Sequence, residues 1–167
     1  MNLIVAADKE WGIGKNGDLL DNIPEDMKFF RETTLDKVVI MGAVTLRSLP
    51  NEKPLPKRVN LILCNDNSLD DRDDLTIFPS MEECVEYALK NYKSEDIFFI
   101  GGASVYNACT DFIDTAYITK IDKAYGADRF IKNFDEMENW EIAEEREQIT
   151  EKGLKLTFTT YKKTSNN

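Results

Sequence analysis

Short apolar runs recur along the chain, each closed off by glycine, proline or acidic residues. Residues 3–7, 37–41, 59–64, 97–100 and 116–121 read as strands, with a shorter one at 75–78. Continuous apolar runs of this length mark strands covered on both faces. Between them the apolar positions take helical spacing. This predicts helices from Pro24 to Thr34, over 43–49, from an N-cap at Ser80 to about Asn91, and from Gly101-Gly102 to about Cys109. Glu83 stands at the capping-box position relative to Ser80. Asn22 is the expected cap of the first helix, with Pro24 just inside it. The proline-bearing stretch 50–57 and the acidic stretch 65–74 read as loops. Near the end, 140–148 and 154–162 flank a Lys152-Gly153 turn and predict an antiparallel hairpin. The pattern as a whole indicates an α/β fold: a mixed, mostly parallel sheet flanked by helices, with the hairpin at its C-terminal end.

Composition narrows the class. Of 167 residues, 42% are hydrophobic and 31% charged, as in an ordinary globular domain. No repeat, linker or low-complexity segment divides the chain, so a single domain is expected over 1–163, with 164–167 a frayed tail. Lys and Arg number 21 against 31 Asp and Glu, a net charge of −10. That balance argues against nucleic acid and anionic membranes as partners. No apolar run is long enough to span a bilayer, and no basic leader precedes the first strand. A cytoplasmic monomer is the expectation. Cys64, Cys84 and Cys109 form neither a disulfide framework nor a metal knuckle, and no metal is expected. Histidine is absent, which removes triads and histidine acid–base chemistry. Catalysis would have to use carboxylates, backbone dipoles or a cofactor.

Three segments carry candidate chemistry. Asp26 lies in the first turn of the first helix, with Phe29 and Phe30 three and four residues on, on the same side. A carboxylate beside aromatic rings suits a flat, nitrogen-rich ligand. Taken alone, Glu25 and Asp26 are more simply read as acids complementing the helix dipole. Two buried strands end at glycine and lead into helices, at Met41-Gly42-Ala43 and Ile100-Gly101-Gly102-Ala103. Such turns aim backbone N–H groups at one spot and could hold the two ends of a dinucleotide; each is equally a plain tight turn. Residues 12–18 carry Gly12, Gly14 and Gly17, which suits either a lid or a surface loop.

The chain resembles dihydrofolate reductase, in its bacterial chromosomal type, over nearly its whole length. The resemblance is carried by Ile4-Val5-Ala6-Ala7, Gly12-Ile13-Gly14 with Asn16-Gly17, and Ile23-Pro24-Glu25-Asp26-Met27-Lys28-Phe29-Phe30. It continues through Val39-Ile40-Met41-Gly42, Thr45, Ser48-Leu49-Pro50 and Leu55-Pro56-Lys57-Arg58-Val59-Asn60. Ile100-Gly101-Gly102-Ala103-Ser104-Val105-Tyr106 and Thr119-Lys120-Ile121-Asp122 complete it. The resemblance implies an eight-stranded mixed sheet and hydride transfer from a reduced nicotinamide cofactor to 7,8-dihydrofolate. It implies that Asp26 binds the pterin and promotes protonation at N5, supported by Thr119. Ile4, Val5 and Ile100 would line the pterin slot, their carbonyls accepting from its amine, with Met27 beside the acid. Phe30 and Leu49 would meet the aminobenzoyl ring, and Arg58 the glutamate α-carboxylate. Ala6, Ile13, Gly14, Ile100 and the lid residues Asn16, Gly17 and Asp18 would contact the nicotinamide side. Gly42, Ala43, Val44, Thr45, Cys64, Asn65, Gly101, Gly102, Ala103, Ser104, Val105 and Tyr106 would hold the pyrophosphate and adenosine. The peptide between the paired glycines would be cis, and antifolates would bind the pterin slot.

Several positions depart from the family's pattern. Asp21 stands where a lid tryptophan is usual. Ala43 and Ser104 stand where arginines usually meet the 2′-phosphate of NADPH, Cys64-Asn65 replace a hydroxyl pair, Asp66 follows them, and Pro79 replaces a lysine. Arg47, four residues after Ala43, is a candidate substitute. The resemblance thus implies NADPH, with NADH as an alternative donor. A related pyrimidine reductase of riboflavin synthesis and a non-catalytic pterin-binding module are competing readings, against which Asp26 and Arg58 argue.

Overall fold

In the computed structural model, which describes residues 1–164, the chain forms a central sheet with helices on both faces. Its elements are β1 (Asn2–Ala7), β2 (Gly12–Lys15), β3 (Asp18–Leu19), α1 (Pro24–Thr34), β4 (Val38–Gly42), α2 (Ala43–Ser48), β5 (Val59–Leu63) and β6 (Thr76–Phe78). They continue with α3 (Met81–Asn91), β7 (Ile97–Gly101), α4 (Ala103–Ala108), β8 (Thr115–Ile121), β9 (Arg129–Phe130), β10 (Trp140–Ile149) and β11 (Lys155–Lys163). The eight-stranded sheet runs in the order β10-β11-β8-β1-β7-β4-β5-β6. All neighbours from β8 to β6 are parallel, and β11 is antiparallel to both β8 and β10. No helix among the described residues is long and apolar enough to cross a membrane.

The apolar runs are continuous because alternate residues enter different cores. Leu3, Val38, Ile40, Ile97 and Phe99 pack in one cluster with Cys84, Val85 and Ala88 of α3 and Val105 of α4. Ile4, Val39, Met41, Phe98 and Ile100 pack in another with Leu46 of α2, and Phe29 and Phe30 of α1 lie against it. Both faces of the parallel strands are therefore dry. Cys84 and Cys109 are buried structural thiols, each pushed up to about 12 by burial.

The sequence-derived bounds hold to within two residues, and Ser80 caps α3 as expected, its Oγ accepting from Glu83 N at 3.2 Å. Two expectations change. Ile23, not Asn22, is the N-cap of α1, with no side-chain cap bond. Ile23 is buried with Phe158 and Leu156, so apolar anchoring sets the helix start. Residues 12–18, expected as a lid or surface loop, hold β2 and the start of β3, which with β9 make a small second sheet. Of the expected tail, Thr164 N donates to Asn139 O at 2.8 Å; 165–167 lie outside the described residues.

Candidate active site

The carboxyl ends of β1, β4, β7 and β8 converge between α1, α2 and α4. Asp26 is the third residue of α1 and lies half-buried against the sheet. Thr119 of β8 sits beside Ala6 in the parallel register. Burial pushes the Asp26 carboxyl above its ordinary value, while the Thr119 hydroxyl, as a hydrogen-bond donor, pulls the other way. None of the ion pairs made by the described residues involves Asp26. Glu25, its neighbour, turns outward and accepts from Glu151 N at 2.8 Å. The two first-turn acids thus have different tasks, which dipole complementation alone would not give them.

Around Asp26 the structure gathers Ile4, Ile100, Phe30 and Leu49 into one apolar cluster. Val5 is half-buried and packs toward the other face. Met27, expected beside the acid, is 51% exposed and joins none of the buried clusters. The Ile4 carbonyl, expected to face a pterin amine, accepts from the buried Tyr106 hydroxyl at 2.8 Å. Tyr106, expected on the cofactor side, is thus tied to β1 through its hydroxyl. Its hydroxyl is pushed well up by burial, then by Cys109 and Asp26.

Arg58 stands at the outer end of the cleft, beside the last turn of α1. Its Nε donates to Thr34 Oγ1 at 3.1 Å, Nη1 to Pro56 O at 2.8 Å and Nη2 to Arg31 O at 3.2 Å. A guanidinium has five N–H groups, so two remain, one on each terminal nitrogen, for an incoming carboxylate. Burial, and then the charge of Arg31, lowers its pKa. Thr34, a fully buried helix residue that anchors this arginine, carries no signal of that task in the sequence.

The two glycine turns abut. A Cβ on Gly42 would lie 3.2 Å from Val105 Cγ2, and one on Gly102 would lie 3.5 Å from Thr45 Oγ1. The peptide between Gly101 and Gly102 is cis. The helices that start here, α2 and α4, have neither a side-chain cap nor an acid in the first turn. By contrast α1 and α3 each carry two acids there. Ala43 is half-buried, while Val44 and Ser104 are exposed at this edge. Cys64, just past the end of β5, donates its thiol to Asp66 Oδ1 at 3.3 Å, and Asn65 is exposed beside it.

The segment around β2 and β3 is held by partners the sequence did not reveal. Asn16 N donates to Asp128 Oδ2 at 2.9 Å, and Asp128 N donates to Gly14 O at 3.0 Å. Ile13 packs toward the core, whereas Gly17 and Asp18 stand exposed at the tip. Buried Asp8 accepts from Glu10 N and Gly12 N, both at 2.8 Å, and from Tyr125 N at 3.1 Å. These contacts join segments up to 117 residues apart, so linear pattern could not have found them.

A family model described as dihydrofolate reductase matches residues 1–163. The putative dihydrofolate reductase of Caenorhabditis elegans is 32% identical, over 99% of this chain and 98% of its own. The dihydrofolate reductase of Enterococcus faecium is 33% identical, over 86% and 84%. Among solved structures, dihydrofolate reductase from Enterococcus faecalis complexed with NADP(H) and RAB-propyl matches with a TM-score of 0.86. That match has 25% identity and covers 98% of this chain and 96% of the other.

Proposed function

The chain belongs to the dihydrofolate reductase family, and on that premise we propose that Asp26 is the group through which it promotes protonation of the substrate at N5. The enzyme reduces 7,8-dihydrofolate to 5,6,7,8-tetrahydrofolate. A reduced nicotinamide cofactor supplies the hydride. The observation that carries the role of Asp26 is its isolation: a half-buried carboxyl with raised affinity for a proton, opposed only by the Thr119 hydroxyl. Such a group can accept from the 2-amino group and ring N3 of a pterin and keep a proton available beside it. The same carboxylate would pair with a protonated antifolate.

Arg58 would take the glutamate α-carboxylate with its two free N–H groups, held in place by Thr34, Pro56 and Arg31. Phe30 and Leu49 would pack on the ring between these two polar ends. For the cofactor, the uncapped, acid-free starts of α2 and α4 suit a pyrophosphate. The lid would cover the nicotinamide side through Ile13, Gly14, Asn16, Gly17 and Asp18. NADPH is the donor the family likeness implies, as in the Enterococcus faecalis enzyme complexed with NADP(H), and NADH is its rival, since Ala43 and Ser104 supply no cation for a 2′-phosphate. We place the enzyme in the cytoplasm as a single-domain monomer of the bacterial chromosomal type. Three unpaired, buried thiols suit the cytoplasm, and one sheet continuous from β10 to β6 suits a single domain.

Mixing the purified protein with dihydrofolate and NADPH, then NADH, and following loss of cofactor absorbance tests the reading. Turnover with either, and its collapse in Asp26→Asn, is the expected result. A folded protein inert with both would overturn it.

A further inference from the structure

We propose that Asp66 selects a nicotinamide dinucleotide whose adenosine ribose carries a free 2′-hydroxyl, NADH, over the 2′-phosphorylated form. The proposal rests on the reading above, that the pyrophosphate lies at the starts of α2 and α4.

Strands β4 and β5 are parallel neighbours joined through α2, and Gly42 lies beside Leu63 in register. Asp66 follows the end of β5 by three residues, on the same carboxyl edge of the sheet as the Gly42 turn. In parallel βαβ units that bind dinucleotides, an acid about 20 residues past the glycine turn takes the ribose 2′-hydroxyl. Asp66 has that relation to Gly42.

The carboxylate is organised for the task. Its Oδ1 accepts from Ser68 N at 2.8 Å and from the Cys64 thiol at 3.3 Å. The Ser68 hydroxyl and amide, with Cys64 and the charge of Arg47, hold it down at about 2, so it stays anionic throughout the working range. A carboxylate has about four acceptor positions, and a ribose hydroxyl can fill one that these donors leave. A phosphate there would bring about two further negative charges against a fixed one.

The positive charges that would offset this repulsion are missing, except for that of Arg47, which already acts on Asp66. Ala43 and Ser104 carry none. Arg47, in the last turn of α2, donates through Nη2 to Ser68 Oγ, the residue whose amide holds Asp66. The guanidinium thus lies within the acid's own network. Cys64, where a hydroxyl would face a phosphate, spends its proton on Asp66.

The test is direct binding of NADPH and NADH, read by quenching of tryptophan fluorescence, and of 2′,5′-ADP and ADP, read by calorimetry. Wild type, Asp66→Asn and Arg47→Ala are compared. Asn keeps the acceptor for Ser68 N and Cys64, so the loop is preserved. Wild type should bind NADH at least as tightly as NADPH, and ADP at least as tightly as 2′,5′-ADP. Asp66→Asn should move the NADPH-to-NADH affinity ratio at least tenfold toward NADPH, with dihydrofolate binding unchanged. Arg47→Ala should move it less than threefold. A ratio unmoved by Asp66→Asn, or a hundredfold wild-type preference for NADPH, overturns the role of Asp66 while leaving the enzyme assignment intact. A preference lost only in Arg47→Ala would assign a phosphate site to Arg47 and Ser68 instead. Binding of neither cofactor would overturn the underlying reading and this proposal with it.

Discussion

Tyr125 donates its hydroxyl to Asp21 across 2.7 Å, tying the segment between β8 and β9 to the stretch that follows β3. Asp21 stands where the family likeness implies a tryptophan, and Tyr125 lowers its pKa. The pair is exposed, so its net contribution is about 1 kcal/mol or less. Tyr125→Phe should therefore lower kcat/KM for dihydrofolate only about two- to fivefold, with the melting temperature nearly unchanged. Single-turnover kinetics on Tyr125→Phe, Asp21→Ala and the double variant check it. Additive effects would mean that the bond does not hold the lid.

Asp8 is a heavier constraint. Its buried carboxylate satisfies three backbone N–H groups, from Glu10, Gly12 and Tyr125. Asp8→Ala leaves those donors without it and should cost about 2–4 kcal/mol. For a chain of this size that corresponds to roughly 5–15 °C in Tm. Asp8→Asn, which keeps one acceptor oxygen, should fall between. Thermal unfolding followed by circular dichroism reads the series.

The contrast between these residues and the strands says what a sequence can reveal here. Runs such as 97–100 were legible because they are dry on both faces, so every position reports burial. Ser80 was legible because its partner is three residues away. Asp26 was singled out by the family likeness, since its helix neighbours alone read as dipole complementation. Asp8 was not, since its donors come from two turns and a distant loop. Tyr106 reaches the carbonyl of Ile4, 102 residues away, and strand β9 is two exposed residues whose pairing with β2 has no apolar signature. Asn22 had the chemistry of a cap, yet burial of Ile23 moved the helix start past it.

Asp26 sets activity against stability. Its folded pKa is raised above the ordinary 3.8, so the native state holds the proton more tightly than the unfolded chain. Stability from this group therefore falls as pH rises through the interval from 3.8 to the raised value, and the loss persists above it. Asp26→Asn removes the penalty. It should melt higher than wild type at pH 7, with the difference vanishing toward pH 3.8, while activity at pH 7 falls by about a hundredfold or more. In wild type the chemical step should slow on the alkaline side of the raised pKa. Melting curves and pH–rate profiles on both proteins check the two halves separately.

Arg58 offers a test confined to binding. Its three tethers fix the plane of the guanidinium. Lysine keeps the charge but cannot make the tethers and a two-pronged contact together. Arg58→Lys should raise KM for dihydrofolate about 10- to 100-fold, by loss of roughly 1.5–3 kcal/mol, with kcat little changed. Steady-state kinetics with a substrate lacking the glutamate tail should show no difference between the two proteins.

Phe29 of α1 packs at a tilt against Phe158 of β11 with ring centroids 4.8 Å apart, and Glu25 accepts from the hairpin turn before β11. Strand β11 itself is inserted between β8 and β10. The helix that carries Asp26 is thus seated by a strand the ribosome delivers more than 120 residues later. A nascent chain that has already made α1, β4 and the glycine turns has no finished substrate site. Competence comes with the closing strand, and any delay in its arrival leaves the apolar face of α1 open to wrong partners.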